Sequence, residues 1–384
     1  MTWDHLGVLD DASMVVEKAS QKILWIGPSS EVPESFLQCA DRQEVDRDFL
    51  WMPAWIDCHT HLVFSGSRVQ DFSDKCDGVT SQALLAQGRG ILETVRATRQ
   101  SSIKELVSNA AFHLQRFKTN GVSVLEIKSG YGLNWESELK MLEAMVELAK
   151  QNPEFTLIRT FLGAHALAPE WVGRRREYVE LLCREWIPEI ARRRLVYACD
   201  AYMEEGYFNK AEVKKMAEAT CAAGLKLRLH TNQYSNLGGI ELGLDMKAVA
   251  LDHLDIMTPH QAEQIAQSET VAVLLPGATL FTRSPIVPAR RLLDAGARVA
   301  ISTDFNPGTC PSHQLALMGT LACTQLQMSI PEWLASVTFN AALALGCEKE
   351  LGTLEVGKKA LVTKIRVPHE QAIPYFYGEL SFGA

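Results

Sequence analysis

Five polar residues that could hold a metal ion or move a proton lie at or just after the ends of short apolar segments of this chain. They are His59, His61, His230, His253 and Asp304. If those segments are parallel strands of a barrel, the side chains at their carboxyl ends converge on one mouth, where a cation can be held and a substrate attacked. The pattern therefore predicts a metal-dependent catalytic centre.

The pair His59 and His61 is the densest part of this signal, because it forms His-x-His at the end of an apolar segment. On an extended backbone, residues i and i+2 point to the same side, so both imidazoles can bind one cation. Zinc and iron accept imidazole nitrogen, and a catalytic zinc site uses about three protein ligands and an open position. His230 and Asp304 each follow a further apolar segment and are placed to complete the ligand set.

Eight segments rich in Val, Ile and Leu alternate with longer amphipathic stretches, a pattern typical of βα units. The predicted strands are 54–58, 122–128, 157–163, 195–201, 225–229, 248–251, 271–275 and 299–303. Helices are predicted between them, for example over 135–150, 210–223, 259–267 and 288–295. The pattern favours an α/β fold with a closed (β/α)8 TIM-like barrel. An open doubly wound sheet is the alternative, but it would not normally gather residues from its first, fifth, sixth and eighth strands at one point.

The two ends of the chain have a different character from the middle. Short strands are predicted over 13–16, 22–27 and 360–363, and neither end has enough apolar surface to fold alone. We therefore expect residues 1–52 and 350–384 to form one small β-sandwich module beside a hydrolase barrel of residues 53–349.

Composition excludes several classes of function. The chain has 384 residues and a formal net charge of −8, and its densest basic runs are the triplets 174–176 and 192–194, so nucleic-acid binding is not expected. Nine cysteines are scattered without a C-x-x-C pair, which favours a reduced protein of the cytoplasm. Neither a secretory leader nor a run of ~18 apolar residues is visible, so neither export nor membrane insertion is expected.

Several longer motifs make the chain resemble the imidazolonepropionase family of the amidohydrolase superfamily. They are HTHLVFSGSR at 59–68, EIKSGYGL at 126–133, FLGAHA at 161–166, LLPG at 274–277 and TDFNPG at 303–308. The KSGYG and DFNPG stretches resemble this family specifically, whereas the His and Asp pattern is shared by the whole superfamily. The resemblance implies hydrolysis of the cyclic amide bond of 4-imidazolone-5-propionate to N-formimidoyl-L-glutamate, a step of histidine degradation.

The resemblance also implies roles for the polar residues. His59, His61, His230 and Asp304 would bind one Zn²⁺ or Fe ion, Asp304 would also accept a proton from water, and His253 would polarise the ring carbonyl. A metal lowers the pKa of water to about 7, which agrees with such a role. A two-metal site is not expected, because the predicted fourth strand, 195–201, has no lysine that could become a bridging carbamate.

A substrate with a propionate carboxylate needs a cationic donor, and Arg68 in the first βα loop is placed to provide one. The alternative is a loop arginine that pairs with Asp71 or Asp74. By resemblance, the remaining substrate-binding positions are Tyr131, His165, Gln233, Asn306, Gly308 and Thr309. The family tends to dimerise, so a homodimer is expected.

Two positions bear on the reaction and its substrate. Gln233 stands where many deaminases of the superfamily have a proton-transferring Glu, and an amide cannot transfer protons in that way, so ring hydrolysis is favoured over deamination. Ser81 stands where the family usually has Tyr, which keeps open a sister cyclic-amide hydrolase with altered specificity. The third hypothesis, of another class, is a catalytically inert metal-binding barrel.

Overall fold

A barrel of eight parallel strands forms the centre of the protein. The computed structural model describes residues 3–39, 48–80, 83–84 and 87–383. The barrel strands follow one another in chain order around the sheet, each hydrogen-bonded to the next. They are preceded by β1 (Ala12–Val16), β2 (Ile23–Pro28) and β3 (Leu50–Pro53) and followed by β12 (Val362–Ile365). The barrel strands themselves are β4 (Trp55–Asp57), β5 (Val122–Lys128), β6 (Thr156–Ala164), β7 (Ala198–Met203), β8 (Lys226–Thr231), β9 (Ala250–His253), β10 (Val271–Leu274) and β11 (Arg298–Ile301).

The first and last barrel strands, β4 and β11, are joined mainly by the residues that follow them and by one side chain. Thr60 and Phe305 form an isolated parallel bridge, and the His61 amide donates to the Phe305 carbonyl at 2.9 Å. The buried Asp57 carboxylate accepts from the hydroxyls of Ser302 and Thr303, the latter at 2.6 Å. These contacts bring the loops after β4 and β11 together, and those loops carry His59, His61 and Asp304.

Helices cover the outside of the barrel, and several begin with a capping box, as at Ser102 with Glu105 and at Asn209 with Glu212. The α-helices are Trp3–Leu6, Glu34–Cys39, Val69–Cys76, Ile91–Gln100, Ile103–Thr119, Trp135–Gln151, Arg175–Leu181, Ile187–Arg192, Lys210–Ala222, Gly239–Asp245, Pro259–Ala266, Pro276–Thr282, Ala289–Asp294, Leu315–Thr324, Ile330–Ser336 and Phe339–Leu345. A π-helical segment, Leu182–Trp186, joins two of them, and short 3-10 turns occur at Ser29–Glu31, Pro169–Trp171, Glu370–Ala372 and Pro374–Phe376. No helix of the described ranges is long and apolar enough to cross a bilayer.

The predicted barrel is confirmed, with shifts of one to three residues at most strand ends. The largest shift is in the fourth barrel strand, expected from residue 195 but observed from Ala198. Leu195 and Val196 are buried, yet they come directly after Arg194, which has a left-handed backbone with φ of 53°. Because these two residues are apolar, the sequence pattern placed the start of the strand in this turn.

The chain ends form the expected small β module beside the barrel. Strand β1 pairs antiparallel with β2, and β3 pairs antiparallel with β12. The N- and C-terminal segments meet where the Ile23 amide donates to the Lys358 carbonyl at 2.9 Å and the Gly357 amide donates to the Ile23 carbonyl at 2.8 Å. The division into residues 1–52 with 350–384 and residues 53–349 stays a prediction.

Candidate active site

Three histidines and one aspartate meet at the carboxyl end of the barrel. The ligand atoms of His59, His61 and His230 all lie within 4.8 Å of one another, and the Nε2 atoms of His61 and His230 are 3.4 Å apart. Asp304 Oδ1 lies 3.5 Å from Nε2 of both His59 and His61. The structure thus brings together the four residues that the sequence predicts as metal ligands.

The chemical state of these groups fits a divalent cation. Burial lowers the pKa of His59 and of His61 well below the ordinary value, so both imidazoles are neutral and have a free nitrogen lone pair. Nε2 of His59 is buried without a hydrogen-bond partner among the described residues. Three imidazoles and one carboxyl group are a donor set that suits zinc or iron.

The backbone turns sharply where the strands deliver these residues. Asp304, just after β11, has φ of 54°, and His253, at the end of β9, has φ of 80°. Non-glycine residues with such φ values are uncommon and cluster at functional sites. The His253 ring centroid lies 5.8 Å from that of His59 and 5.3 Å from that of His230, so His253 belongs to the same mouth.

Two buried carboxylates lie behind the histidines. Asp200 Oδ2 is 2.9 Å from Nδ1 of His230, and Asp252 Oδ1 is 3.4 Å from Nδ1 of His59. A carboxylate against the distal nitrogen of a metal-binding imidazole fixes its tautomer and ring orientation. Both Nε2 atoms are thereby left to face the cluster.

These two carboxylates belong to a layer of buried charged residues that was not predicted from the sequence. Its members are Glu126, Lys128, Asp200, Arg228 and Asp252, all fully or almost fully buried. Glu126 with Lys128, and Arg228 with His230, recur at a spacing of two within buried strands, which places each pair on one side of its strand. Charged residues at that spacing in an otherwise apolar barrel strand were the signal available in the sequence.

Arg68 lies at the same mouth. Its contacts are compatible with both predicted roles, binding of a substrate carboxylate and pairing with a loop aspartate. Its Nε donates to Asp71, whereas Asp74 pairs with Arg89. The rest of the guanidinium extends to the loop after β11, where a Cβ on Gly308 would lie 3.0 Å from Nη1. The terminal nitrogens of Arg68 make no hydrogen bond within the described parts of the chain.

Tyr131 and His165 form one wall beside the histidine cluster. The His165 ring stacks on His61 with centroids 5.0 Å apart, and the Tyr131 ring lies 5.9 Å from His61 and 5.4 Å from His165. Gly130 next to Tyr131 has φ of 107°, and a Cβ there would lie 2.9 Å from the Leu162 carbonyl oxygen. Only glycine allows the loop to lie this close to the strand end.

The buried carboxylate of Glu138 holds this glycine loop and was also missed in the sequence. It accepts from the amides of Gly130, Gly132 and Leu133 at 3.1, 2.7 and 2.8 Å. Burial raises the pKa of Glu138, and these hydrogen bonds oppose that effect. The carboxylate thus determines where Tyr131 sits.

The predicted polar residues of the loop after β11 mostly hydrogen-bond to one another. Asn306 Nδ2 donates to the Asp304 carbonyl and to Thr309 Oγ1, and its Oδ1 accepts from the amides of Gly308 and Thr309 at 2.8 Å each. Thr309 Oγ1 in turn donates to Asp304 Oδ2 at 3.3 Å. Asn306 therefore shapes the loop, while Thr309 reaches the site.

Gln233 and Ser81 complete the set. Gln233 Oε1 accepts from the Tyr202 hydroxyl at 2.8 Å, and its Nε2 donates to the Tyr234 hydroxyl at 3.1 Å, so the amide is held between two tyrosines. Ser81 lies outside the described residues.

Comparison with known proteins agrees with the barrel and identifies the family. Residues 50–365 match the model of the amidohydrolase family, which defines the protein as a hydrolase of that class. Imidazolonepropionases of Bdellovibrio bacteriovorus, Pseudomonas entomophila and Yersinia pseudotuberculosis are 39%, 40% and 41% identical to it. These matches cover 98%, 98% and 93% of this chain and 88%, 93% and 87% of the three relatives. The chain belongs to the imidazolonepropionase family, which confirms the resemblance seen in its motifs.

Solved structures share the fold at low sequence identity. An adenosine deaminase from Xanthomonas campestris with bound zinc superposes with a TM-score of 0.71 at 16% identity, covering 97% of this chain and 86% of that one. A 5-methylcytosine deaminase from Klebsiella pneumoniae gives 0.74 at 12% identity, covering 97% and 93%.

Proposed function

We propose that this protein hydrolyses the cyclic amide bond of 4-imidazolone-5-propionate and releases N-formimidoyl-L-glutamate, in histidine degradation. The observation that carries the proposal is the meeting of four metal-donor side chains and Arg68 at one barrel mouth. Relatives of 39–41% identity that are named imidazolonepropionase support the choice of substrate.

His59, His61, His230 and Asp304 are proposed to hold one Zn²⁺ or Fe ion. When bound, such an ion lowers the pKa of water and so supplies a nucleophile at neutral pH. A second group of possible ligands, Asp200, His230 and Asp252, lies beside the first. The ammonium of Lys128 already stands there, 2.8 Å from Asp200 Oδ2 and 3.9 Å from Asp252 Oδ2, which favours a single ion.

The chain's own residues then carry out the proton transfers. Asp304 accepts the proton of the attacking water, and the same proton is returned to the ring nitrogen when the carbon–nitrogen bond breaks. Thr309 orients Asp304 through its hydroxyl. His253 donates to the carbonyl oxygen, where negative charge develops during attack.

The substrate side of the mouth is proposed to bind the carboxylate and the ring separately. The terminal nitrogens of Arg68 bind the propionate carboxylate, beside Gly308, while Nε stays on Asp71. Tyr131 and His165 flank the ring, and Gln233 binds its polar edge. Asn306 contributes by holding the loop that carries Gly308 and Thr309.

We further propose a homodimer in the cytoplasm. The cysteines whose side chains the structure describes are unpaired, which suits a reducing compartment. Light scattering on the purified protein should give twice the chain mass of 42.6 kDa, whereas a single chain mass would contradict the dimer.

The reaction is tested with freshly generated 4-imidazolone-5-propionate, by following the loss of its ultraviolet absorbance. A panel of hydantoins and dihydropyrimidines, run in parallel, distinguishes a sister cyclic-amide hydrolase. Turnover of a panel compound without turnover of the imidazolone would contradict the proposed substrate and would direct attention to Ser81. Metal-loaded protein that is inert on every compound would support the inert barrel instead.

A further inference from the structure

The buried ammonium of Lys128 lies at the centre of the charged layer beneath the histidines. Its Nζ donates to Glu126 Oε1 at 2.7 Å and to Asp200 Oδ2 at 2.8 Å, and it lies 3.9 Å from Asp252 Oδ2. The side chains of Lys128 and of all three carboxylates have no solvent exposure. Lysine in such a place must be paired, because an isolated buried charge is very costly.

Each of two carboxylates contacted by Lys128 touches a different metal-donor histidine on its other side. Asp200 uses the same oxygen, Oδ2, for Lys128 and for Nδ1 of His230. Asp252 presents Oδ2 to Lys128 and Oδ1 to Nδ1 of His59. One ammonium therefore lies between the two carboxylates beside His59, just after β4, and His230, in β8.

Arg228, the second buried cation, has a different set of contacts. It also binds Asp252, at 2.8 Å, but its other hydrogen bonds go to the carbonyls of Cys58 and Ala344 at 3.0 and 3.1 Å. Arg228 thus ties the strands to the helix Phe339–Leu345. Its Nε also lies 3.4 Å from Glu126 Oε1, whereas Asp200, the carboxylate beside His230, accepts from Lys128.

We propose that Lys128 is a positioning residue for the metal centre: its ammonium holds Asp200 by a hydrogen bond and lies beside Asp252, which Arg228 binds, so that His230 and His59 present Nε2 to one ion. This inference rests on the single-ion site proposed above and is independent of the substrate. Removing a partner behind a metal-binding imidazole typically lowers metal affinity by about 10–100-fold.

The test measures Co²⁺ binding by chelator competition, together with the visible absorption of bound Co²⁺, which reports ligand geometry. Lys128→Met keeps the length of the side chain and removes the charge. We expect about 10–100-fold weaker Co²⁺ binding than in the wild type and an altered spectrum. The control is Arg290→Met, which removes a cation paired with Glu332 on two helices that carry none of the proposed ligands and should leave both readouts unchanged.

A second variant separates positioning from charge balance. Lys128→Met with Glu126→Gln removes one charge of each sign, and the amide oxygen that the second substitution introduces can still accept from Thr160 Oγ1, as Glu126 does at 2.6 Å. The free energy of unfolding of the double variant should be higher than that of Lys128→Met, while its Co²⁺ binding should remain as weak. If either variant is only marginally folded, the shift of its unfolding midpoint on adding Co²⁺ gives the same comparison, since a ligand that binds the folded state stabilises it more at a given concentration when its Kd is lower.

The outcomes are separable. Wild-type affinity and spectrum in Lys128→Met, or full recovery of both in the double variant, would overturn the positioning role and leave the proposed reaction standing. Failure of the wild type itself to bind Co²⁺ would overturn the metal site and this inference together.

Discussion

Arg68 is the residue on which the proposed binding of the substrate carboxylate most directly depends. Its Nε is fixed by Asp71, so the remaining nitrogens are held in place before any ligand arrives. Hydrogen bonds to charged groups contribute roughly 1.5–3 kcal/mol each. We expect Arg68→Met to raise KM by about 10–100-fold with little change in metal affinity, as measured by steady-state kinetics and chelator competition.

Arg89→Met provides the matched control, because Arg89 pairs with the same Asp71, at 2.7 Å, and with Asp74. It should change KM far less than Arg68→Met. Equal effects of the two variants would mean that loop structure, and not carboxylate binding, accounts for the role of Arg68.

Also at the residue scale, the sequence indicated the proposed metal-site residues but not the carboxylates that lie behind the histidines. His59, His61, His230, His253 and Asp304 were found because each ends an apolar segment. Asp200 and Asp252 were not found, because their role depends on contacts with residues of neighbouring strands, and no spacing along one strand encodes it. The metal and substrate roles of the predicted residues stay predictions.

At the scale of elements, the loop after β5 depends on the helix that follows it. Glu138, in the first turn of Trp135–Gln151, receives three backbone amides of that loop. Glu138→Gln replaces one acceptor oxygen by a donor, so at least one amide loses its partner, at a cost of roughly 1–3 kcal/mol. We expect lower stability in urea unfolding and a raised KM through displacement of Tyr131.

The metal affinity of Glu138→Gln should remain that of the wild type, because Glu138 contacts none of the four proposed ligands in the described structure. A normal KM in the destabilised variant would show that the loop position does not matter for substrate binding.

A second element-scale contact joins the helices Ala289–Asp294 and Ile330–Ser336. Arg290 donates to both oxygens of Glu332 at 2.9 and 2.8 Å. Burial would raise the pKa of Glu332, but hydrogen bonds from Arg290 and Ser329 outweigh it and lower the pKa to about 2. A depressed carboxyl pKa stabilises the fold above pH ~4.5, and this contribution is lost as the pH falls toward 2.

Arg290→Met should therefore lower the free energy of unfolding at pH 7 by about 1–2 kcal/mol, a value discounted for solvent screening. The difference in free energy of unfolding between this variant and the wild type should be smaller at pH 4 than at pH 7, as measured by urea titration at both pH values. A difference that is the same at pH 4 and pH 7 would contradict the charge-based account of this contact.

At the scale of the whole molecule, alternating apolar and amphipathic segments were sufficient to predict the barrel, and the quoted motifs were sufficient to predict the family. Closure of the barrel was predicted, but the contacts that join β4 and β11 were not, because they depend on the side chain of Asp57 and on a single bridge rather than on a ladder. For the buried charge layer, the spacing of two within β5 and β8 was visible in the sequence, but the contacts between its members were not, because those members come from four strands.

We propose that this mouth opens an imidazolone ring with a bound divalent cation. The most direct test is loss of the absorbance of 4-imidazolone-5-propionate, measured with wild-type protein, with the same protein after chelation and with His59→Ala. We expect turnover by the wild type, loss of turnover on chelation with recovery on adding Zn²⁺ or Fe²⁺, and no turnover in His59→Ala. Undiminished turnover by fully chelated protein, or none by folded, metal-loaded wild type, would contradict the claim.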